Sequence, residues 1–139
     1  MSQTTTLSPT PRILPPLSST TRLFWTSGKS GRLSLLRNRS TGRWIHPFWR
    51  VADDDPGVVA EPVSGMGTVY TFTINQHTYN PQVPPPYVIA IVQLDEQDDL
   101  RIVSNIVGCA PEDVTIGMRV QVRFEDHGDY AVPVFEPAG

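Results

Sequence analysis

The second half of the chain is built from five short segments of β-forming residues, separated by glycine, proline and acidic turns. These segments cover residues 68–74, 87–94, 100–107, 119–125 and 131–136. Short strands must pair with one another to satisfy their backbone amides, and five of them in this length fit a small closed barrel. Gly65 and Gly67 precede the first segment and indicate a bulge or a sharp bend, which barrels use to curl a long strand. We therefore predict a mainly β fold with a five-stranded OB-fold-like barrel, with a small sandwich as the alternative.

The residue pattern within two segments predicts which faces are covered. Residues 68–74 alternate, which places Tyr70, Phe72 and Ile74 on one face of the strand. Residues 87–94 form an almost continuous apolar run, which is typical of a strand covered on both faces.

The first part of the chain predicts a tail, a short helix and a hairpin. Residues 1–16 contain four prolines and no apolar run, so we predict a flexible tail, no secretory signal and a cytoplasmic location. A short helix near Thr20 carries Phe24 and Trp25, and Gly28 ends it early. Two helical turns are unstable alone, so this helix must dock on its own barrel or on a partner.

We predict a small hairpin after this helix, with strands at 33–36 and 44–47. The predicted organisation is a tail at 1–16, a helix with a hairpin module at 17–60 and a barrel at 61–137.

Charge is divided unevenly along the chain. The first 50 residues hold eight of the eleven Lys and Arg residues and no acid, whereas all fourteen acids follow, for a net charge of −3. Five basic residues fall within fifteen positions: Lys29, Arg32, Arg37, Arg39 and Arg43. Guanidinium groups bind phosphate in a bidentate manner, so CoA phosphates or an acidic partner are candidate ligands. An ordinary solvated surface is an equally weighted alternative.

Composition excludes several classes of protein. Hydrophobic residues make up 39% and charged residues 18%, which allows a globular core and argues against a coiled coil or a wholly disordered chain. No apolar run is long enough for a membrane span, and we predict no membrane partner. A single cysteine, Cys109, rules out an intramolecular disulfide and a Cys-only zinc site.

Several motifs together resemble a known family. They are Phe24-Trp25, Gly31-Arg32-Leu33, the stretch 64–73 (SGMGTVYTFT), Pro86-Tyr87-Val88-Ile89-Ala90 and Gly117-Met118-Arg119-Val120. In this order they resemble the thiolase-associated OB-fold family, whose members carry an N-terminal rubredoxin-like zinc ribbon. The resemblance covers about residues 20–137, and the stretch 64–73 is its most specific part.

The resemblance implies an accessory role in a hetero-oligomer. Such proteins pair with thiolase-like enzymes, and some with aldolases or hydratases that process acyl-CoA thioesters, including steroid side chains. The accessory chain stabilises its partner and helps shape the acyl-CoA channel, while the chemistry resides in the partner. We therefore expect no catalytic residues and no activity of the chain alone, with a CoA thioester present only as the partner's substrate.

The chain departs from the family where zinc would bind. Family members place two Cys-x-x-Cys knuckles around the hairpin, but here these positions fall at 38–41 and 52–55 and contain no cysteine. Asn and Thr are poor zinc ligands, so we predict that zinc is absent. Packing by Trp44, Phe48 and Trp49, or contact with a partner, would then hold the module.

Aromatic residues in the N-terminal part predict a partner interface, because tryptophan dominates interface hot spots. The predicted interface residues are Phe24, Trp25, Trp44, Phe48, Trp49 and Tyr79. Tyr79 begins a proline-rich stretch, 79–86, that is either a loop reaching toward a partner or a rigid connector.

Other hypotheses compete with this reading. A single-stranded nucleic-acid-binding barrel would use Arg101, Arg119 and Arg123. The acidic residues of the barrel would, however, repel the phosphate backbone of such a ligand. An independent enzyme would use His46 or Cys109, which no motif pairs as base and nucleophile. The acids at 53–55 indicate a solvated turn more than a cation site, and His77 and His127 have no metal-ligand spacing.

Overall fold

The computed structural model describes residues 12, 14–51 and 55–139. Its elements in chain order are helix α1 (Arg22–Thr26), a 3-10 turn (Ser27–Ser30), strands β1 (Ser34–Asn38), β2 (Val58–Pro62), β3 (Met66–Asn75), β4 (Tyr87–Leu94) and β5 (Arg101–Ile106), a second 3-10 turn (Pro111–Asp113), and strands β6 (Arg119–His127) and β7 (Tyr130–Pro137). No helix among these residues is long and apolar enough to cross a membrane.

The last five strands form a closed barrel in the order β3-β4-β5-β7-β6. Neighbours are antiparallel except β5 and β7, which pair in parallel at Ile106 and Phe135. This is the arrangement of a five-stranded OB-fold. The predicted fold class is therefore confirmed, and the five predicted strands match the observed ones to within about two residues at most ends.

Strand β3 differs from its predicted alternation because it contains a bulge. Its register with β4 shifts between Val69 and Thr71, which sets Tyr70 on the exposed side. Val69 is buried before the shift and Phe72 packs against the core after it. The prediction that Tyr70 and Phe72 share a face was wrong, because one extra residue in a strand exchanges its two faces.

The two glycines before this bulge have different structural roles. Gly65 has a φ of 80°, which turns the chain into β3. Gly67 lies where β3 pairs with both β4 and β6, and a Cβ there would meet the Gln93 carbonyl oxygen at 2.7 Å. The glycines thus supply the predicted sharp bend and a close strand approach, while the bulge itself lies further along at Tyr70.

The N-terminal strand β1 pairs with a different segment from the one predicted. Its partner is β2, in a register that joins Ser34 to Pro62 and Asn38 to Val58. Trp44 forms only an isolated bridge to Arg37, so the predicted strand at 44–47 was wrong. Pro47 lacks an amide proton and ends extension there, whereas β2 begins with two β-branched residues, Val58 and Val59, and pairs with β1 over five residues.

Helix α1, strand β1 and the loop that contains Trp44 share one hydrophobic core with the barrel. Phe24, Leu33, Leu35 and Trp44 belong to the same cluster of buried residues as the barrel interior. Gly28 lies so close to Phe124 of β6 that a Cβ would meet the ring at 2.2 Å. The N-terminal part is therefore packed onto the barrel, while the predicted boundaries at 16/17 and 60/61 stay predictions.

Candidate docking site

Three side chains, the exposed Phe48 and Trp49 and the half-buried Trp25, form an aromatic group on the outside of this shared core. Trp25 and Phe48 stack with ring centroids 6.1 Å apart, and buried Phe24 meets both rings edge-on. Trp49 continues the group and is 67% exposed, while Phe48 is 48% exposed. We call Trp25, Phe48 and Trp49 the aromatic patch. Exposed aromatic clusters of this kind mark interaction surfaces.

His46 holds the aromatic patch in shape. Its Nδ1 accepts a hydrogen bond from the Phe48 amide at 3.1 Å, and its ring lies 6.4 Å from that of Trp49. Partial burial lowers the pKa of His46 from its ordinary value of 6.5. The imidazole is therefore neutral at pH 7, as an accepting Nδ1 requires.

We expect the stability of the chain to fall as pH drops through about 6.5, because His46 binds a proton more readily in the unfolded chain. The stabilising contribution is fully present above that value and declines below it. His46→Gln should reduce this pH dependence of the thermal midpoint, measured between pH 7.5 and 5.5. The exposed-loop variant His77→Gln should retain it; equal slopes in His46→Gln and the native chain would contradict the expectation.

Two adjoining clefts extend from the aromatic patch across the barrel. Their volumes are about 380 and 290 Å³, and both are lined by Arg12, Trp25, Tyr87, Asn105 and Val132. We call them together the docking cleft. Most of its lining is apolar, and its charged or amide side chains include Arg12, Asn105 and Glu125, which are hydrogen-bonded to one another through Arg12.

The docking cleft includes residues that the sequence analysis missed. Tyr87, Ile89 and Val103 line it from the outer faces of β4 and β5, and Val103 is 65% exposed. The prediction that the 87–94 strand is covered on both faces was wrong, because its outward side is only partly covered and leaves Ile89 37% exposed. The sequence did contain a signal for this exposed surface: apolar residues at the outward positions of a barrel strand, which are usually polar.

The six predicted interface residues fall into two groups. Trp25, Phe48, Trp49 and Tyr79 reach the surface, and Tyr79 is 75% exposed on its loop, where its ring lies 4.9 Å from that of His77. Phe24 and Trp44 are buried in the core of the chain itself. These two can support an interface from beneath but offer little area to a partner, and the interface as a whole stays a prediction.

Trp44 is held by polar contacts on both sides. Gln97 accepts a hydrogen bond from its amide at 2.8 Å and donates one to its carbonyl at 3.1 Å. The Arg37 guanidinium lies 4.8 Å from the centre of its ring. The Gln97 contacts join the loop that contains Trp44 to the β4–β5 turn.

The basic N-terminal residues pair with acids of the same chain. Lys29 contacts Asp126, Arg37 contacts Glu61, and Arg43 binds both oxygens of Asp99. Arg32 and Arg39 have no side-chain partner among the described residues. The uneven charge thus partly reflects contacts of the N-terminal part with its own barrel, and binding of CoA phosphate or an acidic partner stays a prediction, best carried by Arg32 and Arg39.

The barrel arginines are also engaged within the chain. Arg119 binds both oxygens of Asp95 at 2.7 Å, and Arg123 lies 2.8 Å from Glu136. The Arg101 guanidinium covers the ring of Tyr70 at 4.0 Å. These pairings argue against the nucleic-acid hypothesis, since such grooves need cations and rings turned toward the strand.

A larger cleft of about 730 Å³ lies on another side of the barrel, but its chemistry is less suitable for docking. Its charged lining residues neutralise one another, as Lys29 does with Asp126 and Arg123 with Glu136. We therefore place the candidate site at the smaller, more apolar docking cleft.

The residues at the first knuckle position do not fit a zinc ion. The Asn38 side-chain oxygen accepts the amides of Ser40 and Thr41 at 2.9 and 3.0 Å, and so serves the turn itself. The second knuckle position lies outside the described residues except for Asp55, whose carboxylate accepts the Gly57 amide. No group of three or more His, Cys, Asp or Glu side chains in the described chain could hold a metal. Absence of zinc stays a prediction, and the acids at 53 and 54 also lie outside the described part.

Cys109 is poorly suited to act as a nucleophile. Partial burial, together with the nearby charge of Asp113, raises the pKa of its thiol above the ordinary value. A thiol with a raised pKa forms less of the reactive thiolate at neutral pH.

The chain is similar to known proteins in both sequence and structure. Residues 60–125 match the family model of the ChsH2 C-terminal OB-fold domain. A chain of the solved Ltp2-ChsH2(DUF35) aldolase matches with a TM-score of 0.74 and 30% identity, over 90% of this chain and 100% of that chain. The chain belongs to the DUF35 family. This confirms the resemblance to the thiolase-associated OB-fold family.

Two curated relatives of the chain are described differently, one as an enzyme subunit and one as a scaffold protein. A 3-oxo-4,17-pregnadiene-20-carboxyl-CoA hydratase alpha subunit from Mycobacterium tuberculosis is 32% identical over 133 residues, which is 94% of this chain and 42% of that protein. A DUF35 domain-containing scaffold protein from Methanocaldococcus jannaschii is 42% identical over 74 residues, 50% of this chain and 51% of that protein. The chain spans about a quarter to a half of the length of the curated relatives it matches.

Proposed function

We propose that this DUF35 chain is an accessory subunit that binds an acyl-CoA-processing enzyme in a hetero-oligomer. The observation that carries the proposal is the aromatic patch and its continuation into the docking cleft, an exposed apolar surface on a well-packed chain. A hot-spot interface needs such a cluster of aromatic anchors beside a partly apolar groove.

A thiolase-like enzyme is the partner that we propose first. The support is the match to a chain of the solved Ltp2-ChsH2(DUF35) aldolase, which extends over the whole length of that chain, together with the resemblance to the thiolase-associated OB-fold family. In this assignment the partner performs the chemistry on the acyl-CoA thioester. The DUF35 chain stabilises the partner and helps shape its acyl-CoA channel, and Arg32 and Arg39 are the candidates for contact with the CoA phosphates.

A hydratase is the second candidate partner. The observation in its favour is the relative described as a pregnadiene carboxyl-CoA hydratase alpha subunit, which aligns with 94% of this chain. That description also supports a steroid side chain as one possible acyl group in the partner's substrate.

Co-expression tests both candidates. We would express the chain with each thiolase-like and each hydratase-like protein of its source organism, and measure masses by size exclusion with light scattering. We expect a stable hetero-oligomer with a thiolase-like protein and a higher thermal midpoint for that enzyme, because a ligand that binds only the folded state stabilises it. A hetero-oligomer with a hydratase-like protein alone would support the second candidate, and a chain that binds neither class would contradict both.

A further inference from the structure

The N-terminal segment before the helix is fastened to the barrel at two points. We call Arg12 together with residues 14–17 the strap. The Arg12 guanidinium donates to both oxygens of Glu125, at 2.7 and 3.3 Å, and to the side-chain oxygen of Asn105 at 3.0 Å. Further along, the Tyr130 hydroxyl donates to the Pro15 carbonyl. The strap therefore has specific contacts with β5, β6 and β7.

Glu125 is the centre of the first fastening point. It is the buried charged side chain of the barrel, with 2% of its surface exposed, and its partners are Arg12 and the Nε2 of His127 at 3.1 Å. Burial alone would raise the pKa of Glu125, but the hydrogen bonds from Arg12 and His127 outweigh it and hold the pKa low. A buried carboxylate is costly unless it is paired, so the pair strongly favours the docked strap.

The docked strap forms one side of the docking cleft. Arg12, Leu14 and Pro15 of the strap line the 380 Å³ cleft, and Asn80 and Val83 of the β3–β4 loop also line it. The cleft stays open with the strap in place, and Trp25 remains accessible within it. This geometry is that of a wall and not of a cover.

We propose that the strap is a wall of the surface on which a thiolase-like acyl-CoA enzyme docks, and that Glu125 is the positioning residue that holds it there through Arg12. The proposal rests on the proposed function for the identity of the partner. The fastening itself is a property of the isolated chain and can be measured without a partner.

Limited trypsin digestion tests the fastening. Trypsin cuts after Arg12 only when that side chain leaves Glu125, so Glu125→Gln should release the 12-residue N-terminal peptide at least about five times faster, as measured by mass spectrometry. Tyr130→Phe, which removes the second fastening point and keeps the ring, should also accelerate release. Glu112→Gln is the matched control, because Glu112 is exposed and has no described contact, and it should leave the rate unchanged. Cleavage after Arg39 serves as the internal reference, and an unchanged rate in Glu125→Gln would overturn the fastening.

The affinity for the partner tests whether the strap forms part of the docking surface. With a thiolase-like protein that binds the native chain, Arg12→Gln should weaken binding about 10-fold, while Arg22→Gln should not change it. Arg22 is exposed in the same region and has no described side-chain contact. Unchanged or tighter binding by Arg12→Gln would overturn the wall. Failure of the native chain to bind any such enzyme would contradict the proposed function and the docking role of the strap, whereas the digestion result would still decide whether Glu125 holds the strap.

Discussion

Gly67→Val is expected to destabilise the barrel by about 3 kcal/mol, a large part of the stability of a small domain. A Cβ at this position would lie 2.7 Å from the Gln93 carbonyl oxygen and 2.8 Å from the Val92 side chain. Neither neighbour can move easily, because one is strand backbone and the other is fully buried. Chemical denaturation followed by circular dichroism would measure the loss as a lower urea midpoint.

Thr73→Val is the matched control for this change. It introduces the same side chain on the same strand, at an exposed position opposite Ile89, and should shift stability by no more than about 0.5 kcal/mol. If Gly67→Val were as stable as this control, the close approach of β3 to β4 at Gly67 would be wrong.

Replacement of both Phe48 and Trp49 by alanine is expected to weaken partner binding about 100-fold. Truncation of an aromatic interface residue that costs about 1.4 kcal/mol lowers affinity about tenfold, so two such losses give about 100-fold. Trp49 is 67% and Phe48 48% exposed in the isolated chain, so about half or more of each side chain is available to a partner. Calorimetric titration of the chain into its partner enzyme would measure the change.

Ile116→Ala is the control for exposed apolar surface in general. Ile116 is 68% exposed in the loop before β6 and lines neither the docking cleft nor the aromatic patch. Its removal should leave the affinity unchanged. If the Phe48 and Trp49 double variant bound within about threefold of the native chain while its thermal midpoint was retained, the partner would have to dock elsewhere.

The barrel could be predicted from the sequence because its signals are local. The β-forming residues lie within each segment, and the glycine, proline and acidic turns lie directly between segments. The five segments could therefore be located correctly. The pairing of β1 with β2 was missed because β2 follows about twenty residues later, and a pattern within one segment does not say which distant segment it pairs with. The faces of β3 were misassigned because a bulge at Tyr70 leaves no clear mark in the sequence.

The candidate site was predicted only in its aromatic part. Trp25, Phe48 and Trp49 stood out by residue type, and the structure places all three at the surface. Ile89 and Val103 did not, because ordinary apolar residues in a strand are expected to be buried. Arg12 was assigned to a flexible tail, and its ion pair could not be foreseen because Glu125 lies 113 residues away.

The sequence by itself determined the β character, the count of barrel strands, the glycines at the tight approach and the aromatic residues available for docking. These follow from the preferences of each residue and its close neighbours. Only the tertiary structure decided which apolar residues stay exposed and which charges neutralise one another. Burial and ion pairing depend on contacts between distant segments: the basic N-terminal part meets the acidic barrel through Arg12 with Glu125, Lys29 with Asp126 and Arg43 with Asp99.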